Sequence, residues 1–284
     1  MSFKSILACA SGGSASDGAI EVACRLARHF QSHLESFHVR ADPREVLLAV
    51  AGSDMPINGE WIDRMDADAE ELAAKTKSAF MDATKRQGIA LDKETSGAAS
   101  ATWRQEIGNA SRLVSRRARF FDIVVLGRSD RVVEEPHSDT IEETLIHSGR
   151  PVLLAPTRAP ATLGDVIAIG WNGSPEAVRV LSASLPLLGM AKRVFIITVG
   201  DKHEASAADL EKYLGWHCIA LVRRHVGTVS GVGPGEALLA AARDEGADLL
   251  AMGGFGHAPW RELLFGGATR DLVATSILPL LLSH

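Results

Sequence analysis

Asp122-Ile-Val-Val-Leu-Gly127 and Asp248-Leu-Leu-Ala-Met-Gly253 are one pattern written twice: an acid, four apolar residues and a glycine. So apolar a run suits a strand covered on both faces, as in a parallel sheet flanked by helices. Working outward, the same elements surround both copies. Helices are expected before them, over residues 102–118 and 234–245. Closing strands follow, Arg150-Pro-Val-Leu-Leu154 and Leu278-Pro-Leu-Leu-Leu282, each with proline near its start, where a missing N–H is tolerated. Upstream, Ile6-Leu-Ala-Cys-Ala-Ser-Gly-Gly13 answers Ile167-Ala-Ile-Gly-Trp-Asn-Gly-Ser174, an apolar run that breaks into a Gly/Ser turn. Ala19, Val22, Ala23, Leu26, Ala27 and Phe30 then recur at helical spacing. Ser174-Pro175-Glu176 supplies an N-cap, a first-position proline and a first-turn acid. Apolar strand candidates at 34–39 and 194–199 complete each set. Alternating strands and helices imply right-handed βαβ crossovers. The expected fold is α/β: two tandem doubly wound, Rossmann-like parallel-sheet repeats packed as a pseudo-dimer. Their closing strands, 152–154 and 280–282, are expected to meet, since apolar edges left open invite unwanted pairing.

The stretch Pro156-Thr-Arg-Ala-Pro160-Ala-Thr-Leu-Gly164 interrupts the periodicity and divides the 284 residues into 1–156 and 164–284. The first half has an extra segment, 42–87: a Gly/Pro-containing loop, then a helix with Asp63, Asp66, Asp68, Glu70 and Glu71. That acidic run reads as a solvated face opposite Ile62, Met65, Ala69 and Leu72 rather than a cation site. Hydrophobic residues at 46% and charged residues at 23% exclude a mainly disordered or collagen-like chain. Few aromatics, with Tyr213 the single tyrosine, favour helices on a sheet of small aliphatic residues over a β-sandwich. A net charge of −5 lacks the overall basic footprint of a nucleic-acid binder. Cys9, Cys24 and Cys218 form no CxxC or zinc spacing and read as buried thiols of a reducing compartment. The apolar run at 6–10 is too short for a signal-peptide core, and nothing approaches the ~18–20 residues of a membrane span. A cytoplasmic protein with no membrane partner is expected.

Chemistry concentrates after the second copy of the pattern. Met252-Gly-Gly-Phe-Gly-His257 is followed by Ala258-Pro-Trp-Arg-Glu-Leu-Leu-Phe265 and then Gly266-Gly267-Ala268-Thr269. In an open α/β sheet, ligands sit beyond the carboxyl ends of the strands, and this loop leaves that edge. Glycines there let main-chain N–H groups approach an anion, and a helix beginning near 267 would add its free N–H groups and positive dipole end. Together these make a phosphate cradle of main-chain amides. His257 occupies a loop position suited to touching a phosphate.

The spacing Gly253-x2-Gly256-x9-Gly266, with the turn Trp171-Asn-Gly-Ser-Pro175, resembles the nucleotide loop of the universal stress protein (UspA) family. The duplicated strand pattern resembles that family's tandem members, so the resemblance spans nearly the whole chain. It implies a protein of stress response that binds ATP or a related nucleotide, with or without Mg, in its C-terminal repeat. The roles fall on Gly253, Gly256 and Gly266 for phosphate, and on Asn172 and Val199 near the adenosine. Gly173, Gly267, Ala268 and Thr269 complete the loops. Two positions depart from the family pattern. Gly267 stands where Ser or Thr is usual, and Asn172 stands where Asp is usual, which reduces affinity or alters the ligand.

In the first half the loop reads Gly127-Arg-Ser-Asp130-Arg-Val-Val-Glu-Glu135, without the second and third glycines and with a carboxylate that repels phosphate. Residues 1–156 are therefore expected to be a degenerate, structural repeat, and a homodimer of the whole chain is an expected assembly. No Gly-x4-Gly-Lys-Ser/Thr loop and no spaced metal-holding set is present, so no catalytic residue is assigned; binding without efficient turnover is expected. The rivals are an interaction protein with no ligand and a slow ATPase. His29 and His33, one helical turn apart, lack a third metal ligand. Ser16-Asp17 reads as a helix cap, and Trp103 and Trp216 as packing residues.

Overall fold

The computed structural model describes residues 2–42, 59–91, 97–128, 135–228, 231–254 and 278–284. The first half runs β1 (Ser5–Cys9), α1 (Gly13–Phe30), β2 (His33–Arg40), α2 (Gly59–Gln87), β3 (Ala90–Leu91), β4 (Ser100–Ile107), α3 (Ala110–Ala118), β5 (Ile123–Gly127), α4 (Glu135–His147) and β6 (Val152–Ala155). The second runs β7 (Val166–Gly170), α5 (Pro175–Leu188), β8 (Arg193–Val199), α6 (Glu204–Trp216), β9 (Val222–Val226), α7 (Pro234–Asp244), β10 (Leu249–Gly253) and β11 (Leu280–Ser283). All strands join one 11-stranded sheet, ordered β3-β4-β2-β1-β5-β6-β11-β10-β7-β8-β9. Neighbours are parallel except at the middle, where β6 and β11 pair antiparallel with Leu153 opposite Leu281. The closing strands meet as the sequence leads one to expect, and the seam makes one sheet of two halves.

The central strands are apolar on both faces. Ile6, Ala8, Ile123 and Val125 feed one core, while Leu7, Val124 and Leu126 feed the other. The repeated aspartate has a structural task in both halves. The Asp122 Oδ2 accepts main-chain N–H groups of Lys4 (2.6 Å) and Ser5 (3.0 Å). The Asp248 carboxylate accepts from Gly164 (2.9 Å), Asp165 (3.1 Å) and Val166 (3.0 Å). Each aspartate thus ties the start of its strand to the start of the opening strand beside it. The repeated glycine is steric: a Cβ on Gly127 would lie 2.1 Å from the Ala15 carbonyl oxygen, and one on Gly253 would lie 2.7 Å from the Ala177 nitrogen.

Several expectations are corrected. Residues 102–118 are not one helix. Ser100–Ile107 is strand β4, paired along the whole of β2, and α3 begins only after Gly108 (φ +143) with Asn109 as its cap. The mostly exposed strand β9 carries no apolar periodicity and was likewise not expected. Helix α1 starts at Gly13 rather than at Ser16-Asp17, and Ser16 is buried within it. The face α2 buries is Ala73, Thr76, Phe80, Ala83 and Thr84, not Leu72, which is 41% exposed. Cys24 is buried, but Cys218 is exposed. Trp103 does pack, stacked on His38 at 5.8 Å, whereas Trp216 is 80% exposed. Buried Glu35 of β2 is held by a forked Arg117 (2.7 and 2.5 Å), a contact that raises the guanidinium pKa.

Candidate functional site

In the second half the chain passes outward through β7, β8 and β9 and returns to β10 on the other side of β7. Such a reversal leaves a crevice at the carboxyl ends of the strands. There lies a cavity of about 200 Å³ lined by Gly170, Trp171, Asn172, Ile197, Val199, His203, Pro234 and Leu238. Its walls follow from local rules. Gly170 is the last residue of β7, and a Cβ there would meet Leu238 Cδ2 of α7 at 2.6 Å, so a larger residue would displace the Leu238 side chain from the cavity wall. Gly173 turns the chain at φ +70, and Ser174 caps α5 by accepting the Ala177 N–H at 3.2 Å. The Asn172 Oδ1 accepts the Ser174 N–H (3.1 Å), which leaves its amide nitrogen as a donor at the cavity rim. Trp171 is held by its Nε1–H on the Ser206 hydroxyl at 3.1 Å.

Val199 offers its main chain. The Trp171 N–H donates to the Ile197 carbonyl (2.9 Å), and on the opposite side the Gly200 N–H donates to the Val226 carbonyl (2.9 Å). Alternate residues of a parallel strand address opposite neighbours. Val199 therefore turns its N–H and C=O toward β7, beyond that strand's end at Gly170. One donor and one acceptor, rigidly held beside apolar Ile197 and Leu238, can read the polar edge of a flat heterocycle while its faces contact apolar side chains.

Among the expected site residues, Asn172 and Val199 line this one cavity, and Gly173 forms the turn beside it. Gly253 ends β10 against the first turn of α5. Gly256, His257, Gly266, Gly267, Ala268 and Thr269 lie outside the described residues. Gly170, Trp171, Ile197, His203, Pro234 and Leu238 were not singled out as site residues. The opening strand-turn pattern contained the signal for the first two; His203, three residues past the strand end, gave none. Close by, Glu176 occupies the first turn of α5, where its own main-chain N–H, the Ser174 hydroxyl and Arg179 hold its carboxyl below the usual range.

The corresponding corner of the first half is furnished differently. Helix α2 crosses it, and a Cβ on Gly12 would lie 2.7 Å from Leu72 Cδ1. Arg40, at the end of β2, pairs with Asp66 (2.5 Å) and Glu70 (3.2 Å) of α2. The His38 Nδ1–H donates to the Ala10 carbonyl at 2.5 Å, and burial lowers that imidazole's pKa. Elsewhere, His29 touches Met190 while His33 bonds Ser100 and Thr102, so the two share no ligand. Among the described residues no group of three or more His, Cys, Asp or Glu is placed to hold a metal, and no helix is long and apolar enough to cross a membrane.

No protein-family model matches the chain, and no curated protein does. Solved structures do. The chain is similar to a universal stress protein from Archaeoglobus fulgidus DSM 4304, at 15% identity and a TM-score of 0.65, covering 98% of this chain and 97% of that one. It is also similar to a putative universal stress protein from Pseudomonas aeruginosa UCBPP-PA14, at 16% identity and a TM-score of 0.53, covering 99% and 93%. A protein of unknown function from Pseudomonas aeruginosa PAO1 gives 15% identity and a TM-score of 0.53, covering 99% and 92%. The chain has the fold of the universal stress proteins, built twice in one polypeptide.

Proposed function

We propose that this is a cytoplasmic universal stress protein that binds ATP or a related nucleotide in its second half and acts in stress response by ligand-dependent signalling or protein interaction. The observation that carries the reading is the cavity at the ends of β7 and β8, where the main-chain edge of Val199 faces an apolar slot. The base would enter this slot, with Asn172 at its rim. The phosphates, with or without Mg, would extend from Gly253 toward Gly256, His257 and the segment Gly266-Gly267-Ala268-Thr269. The first half, whose corner carries Leu72 and the Arg40 ion pairs, would serve as a structural partner. Two chains would associate as a homodimer.

A ligand-free interaction protein is favoured by one observation. Gly127 and Gly253 both serve packing, so Gly253 alone does not argue for phosphate. Thermal unfolding with and without ATP-Mg separates the two readings. A nucleotide at 100 times its dissociation constant should add about 2.7 kcal/mol of stability, and a ligand-free protein should show no shift. Mass spectrometry of what co-purifies would name the ligand.

A further inference from the structure

A second and larger cavity shares no lining residue with the Val199 slot. It is a groove of about 740 Å³ where the carboxyl-terminal ends of α1, α5 and α6 meet. Both halves build it: Lys4, His29 and Phe30 from the first, Leu185, Met190, His217 and Ile219 from the second. His29 Nε2 and Met190 Sδ touch across the join at 2.6 Å. Its size falls in the range of small-ligand sites, roughly 300–1,000 Å³.

The lining decides the ligand class. Phe30 and Ile219 are buried, and with Leu185 and Pro186 they give an apolar floor, with exposed Met190 at its wall. Lys4, His29, Gln31 and His217 bring N–H donors, and no carboxylate lines the groove among the described residues. That is notable in a chain of net charge −5. Helix carboxyl ends favour cations, but several of the last carbonyls here are already engaged. The N–H groups of Gln31 and Ser32 donate to Ala27, those of Gly189 and Met190 to Leu185 and Leu187, and those of His217 and Ile219 to Leu214. What remains for a ligand is donors and one full positive charge over an apolar floor.

We propose that this groove binds an anionic amphiphile, a carboxylate carrying an unbranched acyl chain, with its head at Lys4 and His217 and its chain along Phe30, Leu185 and Ile219. Calorimetric titration of the full chain with decanoate, kept below its micelle concentration, tests this. Decanoate should bind, the decyltrimethylammonium cation should bind at least tenfold more weakly, and the Lys4→Ala/His217→Ala double variant should lose at least tenfold affinity for decanoate. A second variant, Met190→Glu, places a negative charge at an exposed wall position and should abolish binding while circular dichroism is unchanged. Equal affinity for both chains, no decanoate binding, or no response to either variant would overturn the proposal. So would adsorption to phosphatidylglycerol vesicles without binding of monomeric decanoate, which would mark a membrane-facing surface instead. Nucleotide response in the same variants should be unaltered, so failure here and failure of the nucleotide reading are separate results.

Discussion

The side chain of Asp248 accepts three main-chain N–H groups at the start of the second opening strand. Replacing it with alanine removes all three bonds from part-buried donors, at a cost of about 1–3 kcal/mol. Urea unfolding of Asp248→Ala should show a lower midpoint at unchanged slope, and Asp248→Asn should recover part of the loss. Gly253→Ala should cost about 1–3 kcal/mol, because its Cβ would press on α5 main chain, which cannot swing aside as a side chain can. Both residues were visible in the repeated pattern; their structural tasks were not, because a sequence shows recurrence without showing what the recurring group touches. The cysteines give a pH prediction. Burial, assisted by the charge of Glu21, pushes the Cys24 thiol up from 9.0 to about 12. The folded state therefore holds this proton more tightly than the unfolded chain does. The stabilising contribution is intact below pH 9 and falls through the window from 9 to 12, by about 1.4 kcal/mol per pH unit. A thiol reagent at pH 8 should label exposed Cys218 first, leaving Cys24 until the protein unfolds.

Among the elements, those buried on both faces were legible and those half in solvent were not. The strands β1, β5, β7 and β10 announce themselves as apolar runs, whereas β4 reads Ser-Ala-Thr-Trp-Arg-Gln-Glu-Ile and is mostly open to solvent beyond Trp103. Its identity comes from pairing with β2, a long-range contact that no local period encodes. The seam can be tested as an element pair. Leu153 and Leu281 face each other across β6 and β11 and are fully buried. Either leucine changed to alanine should cost about 2–5 kcal/mol, and the double variant should depart from the sum by at least ~0.5 kcal/mol, as touching residues do. The Arg40 cluster is a weaker tie. Asp66 and Glu70 are 48% and 68% exposed, so Asp66→Asn should change stability by less than about 1 kcal/mol.

For the whole molecule, one continuous sheet through the seam means that neither half can lose its order alone without exposing the apolar edge of the other. Single-tryptophan variants retaining only Trp103 or only Trp171 should report the same unfolding midpoint; two separate midpoints would mean independent halves. The tandem plan was legible because duplication prints the same pattern twice. The inequality of the two corners was only half legible. Missing glycines flagged the first loop, but the placement of Leu72 over Gly12 depends on how α2 crosses the sheet. That inequality leads to the most direct test of the account. Photolabelling of the full chain with 8-azido-ATP, competed by ATP, should mark the tryptic peptide 194–202, which carries Val199, and spare peptide 29–40. Label confined to 29–40, or no label that ATP can displace, would contradict a nucleotide slot at the end of β8.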